Sequence, residues 1–168
     1  MYESEKTFLK LLPSLPEGCI RVFRGEPAKT PDCTGALEKT FTSASLASEL
    51  LQSDEDLSQV VGGWYTPDLY TALQYAFEDR DDGKLFYLDL PKDGPFILTS
   101  IEASDRSIPA VIVTDASTLG KRVDLARQLQ SFKNDQSKSL LEVIEEDRTY
   151  TDPDHDYTIC GWDGPPEP

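Results

Sequence analysis

Arg24 closes the segment Arg21-Val22-Phe23-Arg24-Gly25 and sets the first chemical expectation. A guanidinium presents a planar fork of donors that can grip a phosphate or pyrophosphate through two parallel hydrogen bonds. Gly25 follows it, and a glycine lets a ligand come close to the backbone. Arg21 is a second, weaker candidate for the same task. A further segment, Gly62-Gly63-Trp64-Tyr65-Thr66-Pro67-Asp68, puts the ring of Tyr65 beside the hydroxyl of Thr66. Thr66 before Pro67 also has the form of a helix N-cap with proline at the first helical position. The third ingredient is a carboxylate, which can stabilise positive charge as it develops on a reacting carbon. Glu142 in Leu141-Glu142-Val143-Ile144 is the first choice, with Glu102, Glu145 and Glu146 as alternatives. Ser139-Leu140-Leu141-Glu142 equally fits a capping box, a purely structural role for Glu142. The one histidine, His155, lies in the acidic run Asp152-Pro153-Asp154-His155-Asp156, which reads as a solvated loop. Ser/His and Cys/His hydrolase chemistry therefore starts from a poor position.

Taken in order, the chain offers a strand ending in Arg-Gly, then Gly-aromatic-Tyr-Thr leading into an alanine-containing helix, then a strand closing in Leu-Pro at Pro91. This order resembles the ADP-ribosyltransferase superfamily, which includes bacterial toxins and effectors and small phage or drug-modifying enzymes. The resemblance covers roughly residues 21–91. It implies a split, mostly antiparallel sheet core in an α+β fold. It also implies NAD as substrate, with ADP-ribose transferred to a protein or small-molecule acceptor, or to water in a glycohydrolase. On that resemblance Arg24 and Gly25 bind the dinucleotide, Tyr65 and Thr66 shape the nicotinamide pocket, and Glu142 acts on the nicotinamide ribose. Phe41-Thr42-Ser43-Ala44-Ser45 is a rival match for the hydroxyl-rich motif, and Gly161-Trp162-Asp163-Gly164 resembles a late turn of some small members. Breaking the glycosidic bond passes through an oxocarbenium-like transition state, which needs a carboxylate and no metal.

The elements that must position these residues follow from periodicity. Phe8, Leu9, Leu11 and Leu12 share one side of an N-terminal helix that Pro13 stops. Residues 19–24 read as a strand ended by Gly25, and residues 26–36 as a loop. A short helix is expected through Leu46, Leu50 and Leu51, and a strand over residues 60–66. Leu69, Ala72, Leu73 and Ala76 repeat at helical spacing and predict a helix over 68–78, with Leu69, Leu73 and Ala76 buried. Strands are expected over 85–90, 96–99 and 110–114. Leu119, Val123, Ala126, Leu129 and Phe132 predict one continuous helix. Residues 139–146 fit a helix or a strand equally.

Composition bounds the rest. The chain has 168 residues, 38% of them hydrophobic, which fits one domain able to bury a core. Lys and Arg number 16 against 31 Asp and Glu, a net charge of −15. Such a charge repels phosphate backbones, so a nucleic-acid target is disfavoured, and it attracts basic proteins. An acidic inhibitor or immunity partner of a basic protein is thus the non-enzymatic alternative. Three cysteines, Cys19, Cys33 and Cys160, form no close pair, which argues against structural zinc. They suit reduced thiols in a cytoplasm, that of the producing cell or of a target cell. No apolar run approaches the roughly 20 residues that span a bilayer, and residues 1–10 have no signal-peptide pattern.

Overall fold

The computed structural model describes residues 2–27, 63–94, 96–103, 106–113 and 115–150. It is an α+β arrangement of two small antiparallel sheets and several helices. The elements are α1 (Glu3–Leu9), β1 (Cys19–Glu26), β2 (Trp64–Tyr65), α2 (Leu69–Phe77), β3 (Lys84–Pro91), β4 (Phe96–Ala103), β5 (Arg106–Val113), α3 (Ala116–Leu119), β6 (Val123–Asp124), α4 (Ala126–Gln136) and α5 (Leu140–Tyr150). One sheet has the order β1-β3-β6 and the other β2-β5-β4. Among the described residues an antiparallel bridge between Phe23 and Thr66 joins them, with both backbone hydrogen bonds made at 2.7 and 2.8 Å.

Alternation along β1 decides what each face buries. Ile20 and Val22, with Leu88 and Leu90 of β3, meet Tyr65, Ile97, Val111 and Val113 in a core between the two sheets. Phe23, Leu85 and Tyr87 point the other way, into a second core with α1, α2, α4 and α5. The β1-β3 sheet is therefore the central layer, with the second sheet on one side and helices on the other.

α2 forms where its alanine–leucine pattern predicts it, and Leu69, Leu73 and Ala76 are all buried. A side chain such as Leu73, fully out of water, contributes about 1.5–3 kcal/mol by its transfer from solvent. The helix lies unusually close to the sheet. A Cβ on Gly25 would stand 1.8 Å from the Ala72 carbonyl oxygen, and one on Gly83 would stand 1.8 Å from that of Ala76. Two glycines thus seat the alanine stripe of α2. This corrects two expectations for Gly25. The strand does not end there but runs on to Glu26, and the close approach that Gly25 permits is that of α2.

Other boundaries differ from the sequence expectation for identifiable reasons. The helix predicted from Leu119 to Phe132 is broken into α3, β6 and α4. The Leu125 amide donates to the Leu85 carbonyl at 2.9 Å, pinning the chain to the β3 edge. The Asp124 carboxylate then accepts from the Ala126 amide at 2.8 Å and starts α4 afresh. Val123 matched the helical spacing by coincidence; it is a strand residue and exposed. Residues 140–150, open between helix and strand on the sequence, are helical. The Ser139 hydroxyl accepts from the Glu142 amide at 3.3 Å, as a helix-starting residue does. The expected helix near Leu46–Leu51, the strand residues Val60–Gly62, the rival motif Phe41–Ser45, Cys33, Cys160, His155 and the turn Gly161–Gly164 lie outside the described residues.

Among the described residues no helix is long and apolar enough to cross a membrane.

Candidate functional site: a convergence at the sheet junction

The two sheets meet at Phe23–Thr66, and the polar residues next to that bridge gather on the inter-sheet face. Arg24 follows Phe23 on β1, and Tyr65 precedes Thr66 at the end of β2. The Arg24 guanidinium donates to the Trp64 carbonyl at 3.1 Å, so β1 and β2 hold it jointly. Its Nε donates to Glu26 Oε1 at 2.7 Å. The same carboxylate oxygen accepts from Arg122 at 3.3 Å. Arg122 follows α3 in a tight turn and lies over the Phe86 ring, 4.3 Å from its centroid. Phe86 in turn sits directly opposite Arg24 in the β1–β3 register.

Tyr65 lies at the bottom of this group. It is 1% exposed, and its hydroxyl makes no well-formed hydrogen bond among the described residues, the Arg122 guanidinium being near enough to interact with it but not to complete one. A buried hydroxyl without a partner is costly and invites a ligand or water to complete it. Burial pushes the Tyr65 phenol up to about 12, against the pull of the Arg24 and Arg122 guanidiniums. The phenol therefore stays neutral at physiological pH and can donate its proton to an acceptor.

Thr66 works differently from its neighbour. Its hydroxyl donates to the Pro109 carbonyl at 2.8 Å and accepts from the Asp68 amide at 3.1 Å. Asp68, not Thr66, occupies the position just before α2. Thr66 thus ties β2 to β5 and the approach to α2, and its hydroxyl faces no open space.

The structure brings Arg24 and Tyr65 together and leaves the other sequence candidates elsewhere. Arg21 points to the helical face. It grips Asp89 with two hydrogen bonds of 2.7 and 2.9 Å and covers the Tyr87 ring at 4.8 Å. Glu142 is exposed in the first turn of α5, which packs on α1, α2 and α4 at the far side of the central sheet. Expected beside Arg24, it is instead separated from it by that sheet. Glu145 lines the same helical groove as Glu142, and Glu146 pairs with Lys138 at 2.6 Å. Glu102 stands near the tip of the β4–β5 hairpin, opposite Ser107.

Two members of the junction were missed on the sequence. Glu26 was assigned to a loop, and Arg122 was absorbed into the long helix predicted through Val123. The signal for Glu26 was its spacing, since residues two apart on a strand share a face.

A concavity of about 510 Å³ opens between the C-terminal end of α2, α4 and α5, away from the junction. Leu73, Phe77 and Leu129 form its floor, with Glu78, Glu142 and Glu145 among its polar lining. Among the described residues no group of three or more His, Cys, Asp or Glu side chains is arranged to hold a metal ion.

Comparison with known proteins found no match to a family model, a curated protein or a solved structure.

Proposed function

We propose that this chain is an NAD-dependent ADP-ribosyltransferase-like domain, with the ligand seated at the junction of the two sheets. The observation that carries the reading is the convergence of Arg24 and Tyr65, which come from separate strands to one polar face. Support also comes from the core itself, since two antiparallel sheets split at one bridge are the architecture that the family resemblance implies. In this reading Arg24 holds the dinucleotide and the neutral Tyr65 phenol hydrogen-bonds or stacks at the nicotinamide end. The nicotinamide–ribose bond breaks, nicotinamide leaves with the bonding electrons, and the acceptor's nucleophile bonds the ribose carbon and gives up a proton. Glu142 has no part in it. The one carboxylate that reaches Arg24 among the described residues is Glu26.

The test is NAD binding by calorimetry together with nicotinamide release, with and without protein or small-molecule acceptors. Saturable binding with acceptor-stimulated release supports transfer; release in water alone supports a glycohydrolase. A wild-type protein that neither binds millimolar NAD nor releases nicotinamide sinks both.

A second reading has its own observation. The groove between α2, α4 and α5 combines an apolar floor with an acidic rim, on a chain of net charge −15. An acidic partner of a basic protein would use such a face, and its binding would weaken as salt screens charges beyond about 8 Å.

A further inference from the structure

Resting on the NAD reading, we infer that Arg122 and Arg24 form a two-guanidinium cradle for the diphosphate of the ligand, in which Glu26 is an internal counter-ion that the ligand displaces. The geometry points this way on three counts.

The first is convergence. One oxygen of Glu26 accepts from both guanidiniums, at 2.7 Å from Arg24 and 3.3 Å from Arg122. Two forks aimed at one carboxylate oxygen are also aimed at where a phosphate oxygen would sit, and phosphate offers more acceptors at the same place.

The second is incompleteness. Each contact to Glu26 uses a single donor, and even with the Arg24 bond to the Trp64 carbonyl both arginines keep further N–H groups without a strong partner among the described residues. Three residues earlier on the same strand, Arg21 shows what a finished pair looks like here: two short bonds to both oxygens of Asp89. The junction network is loose by that standard. The Arg122 side chain is 30% exposed and Arg24 15%, against 5% for Arg21.

The third is the Tyr65 hydroxyl, which lies beside the same charged groups and makes no well-formed hydrogen bond among the described residues. It supplies a further donor to whatever anion enters. Phe86 completes the device by seating the Arg122 guanidinium over its ring, which restrains the fork before a ligand arrives. The two guanidiniums carry +2 between them, and Glu26 offsets one of those charges while it lies between them. A diphosphate therefore gains two cations at the cost of one displaced carboxylate.

The experiment titrates the full chain with inorganic pyrophosphate, ADP-ribose and NAD by calorimetry. The variants are Arg122→Gln, Arg122→Lys and Glu26→Gln, each with a melting curve as a folding control. Arg122→Gln should weaken all three ligands by at least about tenfold, or roughly 1.4 kcal/mol. Arg122→Lys should weaken them as well, because it keeps the charge but loses the fork and its seat on Phe86. Glu26→Gln should tighten pyrophosphate severalfold, since the internal competitor is gone. The cradle is overturned if both Arg122 variants bind NAD like wild type, or if a folded Glu26→Gln protein binds pyrophosphate more weakly. In the first of those outcomes the NAD reading survives. Conversely, wild type binding pyrophosphate and ADP-ribose through Arg122, but not NAD, leaves the cradle standing and removes the NAD reading. Wild type binding none of the three overturns the cradle too.

Discussion

Arg21 and Arg24 lie on one strand, three residues apart, and do opposite things. Arg21 faces the helices, where a carboxylate directly across the register, Asp89, takes both arms of its fork. Arg24 faces the other sheet, where Phe86 stands across from it and its carboxylate comes from its own strand. The residue type is the same, and so is the backbone. The difference lies in what the neighbouring strand offers. A carboxylate opposite closes the geometry and makes a buried ion pair that serves the fold. A ring opposite leaves the fork without a carboxylate across the register, which is why the proposed ligand site is placed there. Each prediction below attacks or refines that contrast.

The largest expected effect is on stability, at the closed arginine. Arg21→Ala leaves Asp89 with an uncompensated charge in a mostly buried setting and should cost about 3 kcal/mol, measured by urea denaturation. Replacing both partners by apolar residues of similar volume should recover most of that loss. A cost below about 1 kcal/mol for Arg21→Ala would mean that the pair is no more closed than Arg24, and the contrast would fail.

Arg24→Lys should show the reverse profile. The charge stays, the planar fork goes, and NAD affinity should fall by at least about tenfold, or roughly 1.4 kcal/mol. Stability should change by less than about 1 kcal/mol, because the Glu26 carboxylate keeps a cation beside it. Unchanged NAD binding in a folded Arg24→Lys protein would remove Arg24 from the ligand site.

The contrast also explains which parts of the molecule could be read from the sequence. The seat of α2 was legible because its alanine–leucine repeat has one period and one interpretation. The strands β1 and β3 were legible because their apolar runs are bounded by Gly and Pro. The junction was only half legible. Arg24 and Tyr65 announce themselves by type, but their convergence depends on a single bridge between strands far apart in sequence. Glu26 stayed hidden because Gly25 was read as a strand end. In fact it is a strand residue whose missing side chain admits α2. Arg122 stayed hidden because Val123 fitted a helical spacing that the Leu125–Leu85 hydrogen bond overrides. Glu142 was misplaced for another reason. Residues 139–146 fitted helix and strand equally, and Glu142 entered the site through the resemblance alone, whereas the Ser139 hydroxyl sets it in the first turn of a helix.

The helical face carries a pH signature of its own. Glu5 and Asp68 are both buried there, and burial raises the carboxyl of each above its ordinary range, with mutual repulsion adding to Glu5. A raised acid binds more protons folded than unfolded, so its contribution favours the fold at low pH and is lost as pH rises through the folded value. The melting temperature should therefore climb as pH is lowered from neutral toward the ordinary carboxylate range. Glu5→Gln combined with Asp68→Asn should flatten that climb by a few degrees, since about 1 kcal/mol corresponds to about 2–4 °C at this chain length. The flattening is the decisive readout, because general relief of the −15 charge also favours low pH and survives in the double variant. An identical slope in wild type and variant would show that these two acids do not titrate in that window.

The smallest expected effect is at Glu142, and it tests the contrast most sharply. Glu142 had the best sequence credentials of any carboxylate, yet it sits on the helical side with Arg21, across the central sheet from Arg24 and Tyr65. Its contribution there is that of an acidic residue in a helix's first turn, about 0.3–1 kcal/mol at a surface position. Its amide, not its carboxylate, makes the bond to Ser139, so Glu142→Gln leaves that bond intact. Stability should drop by about 0.5 kcal/mol or less, and NAD binding and nicotinamide release should match wild type. Glu26→Gln, assayed beside it, should change ligand binding by severalfold. If instead Glu142→Gln abolishes turnover in a folded protein, then α5 contributes to the reacting face. The division of labour between the two faces of β1, and with it the reading of Arg21 as structural and Arg24 as functional, would then be wrong.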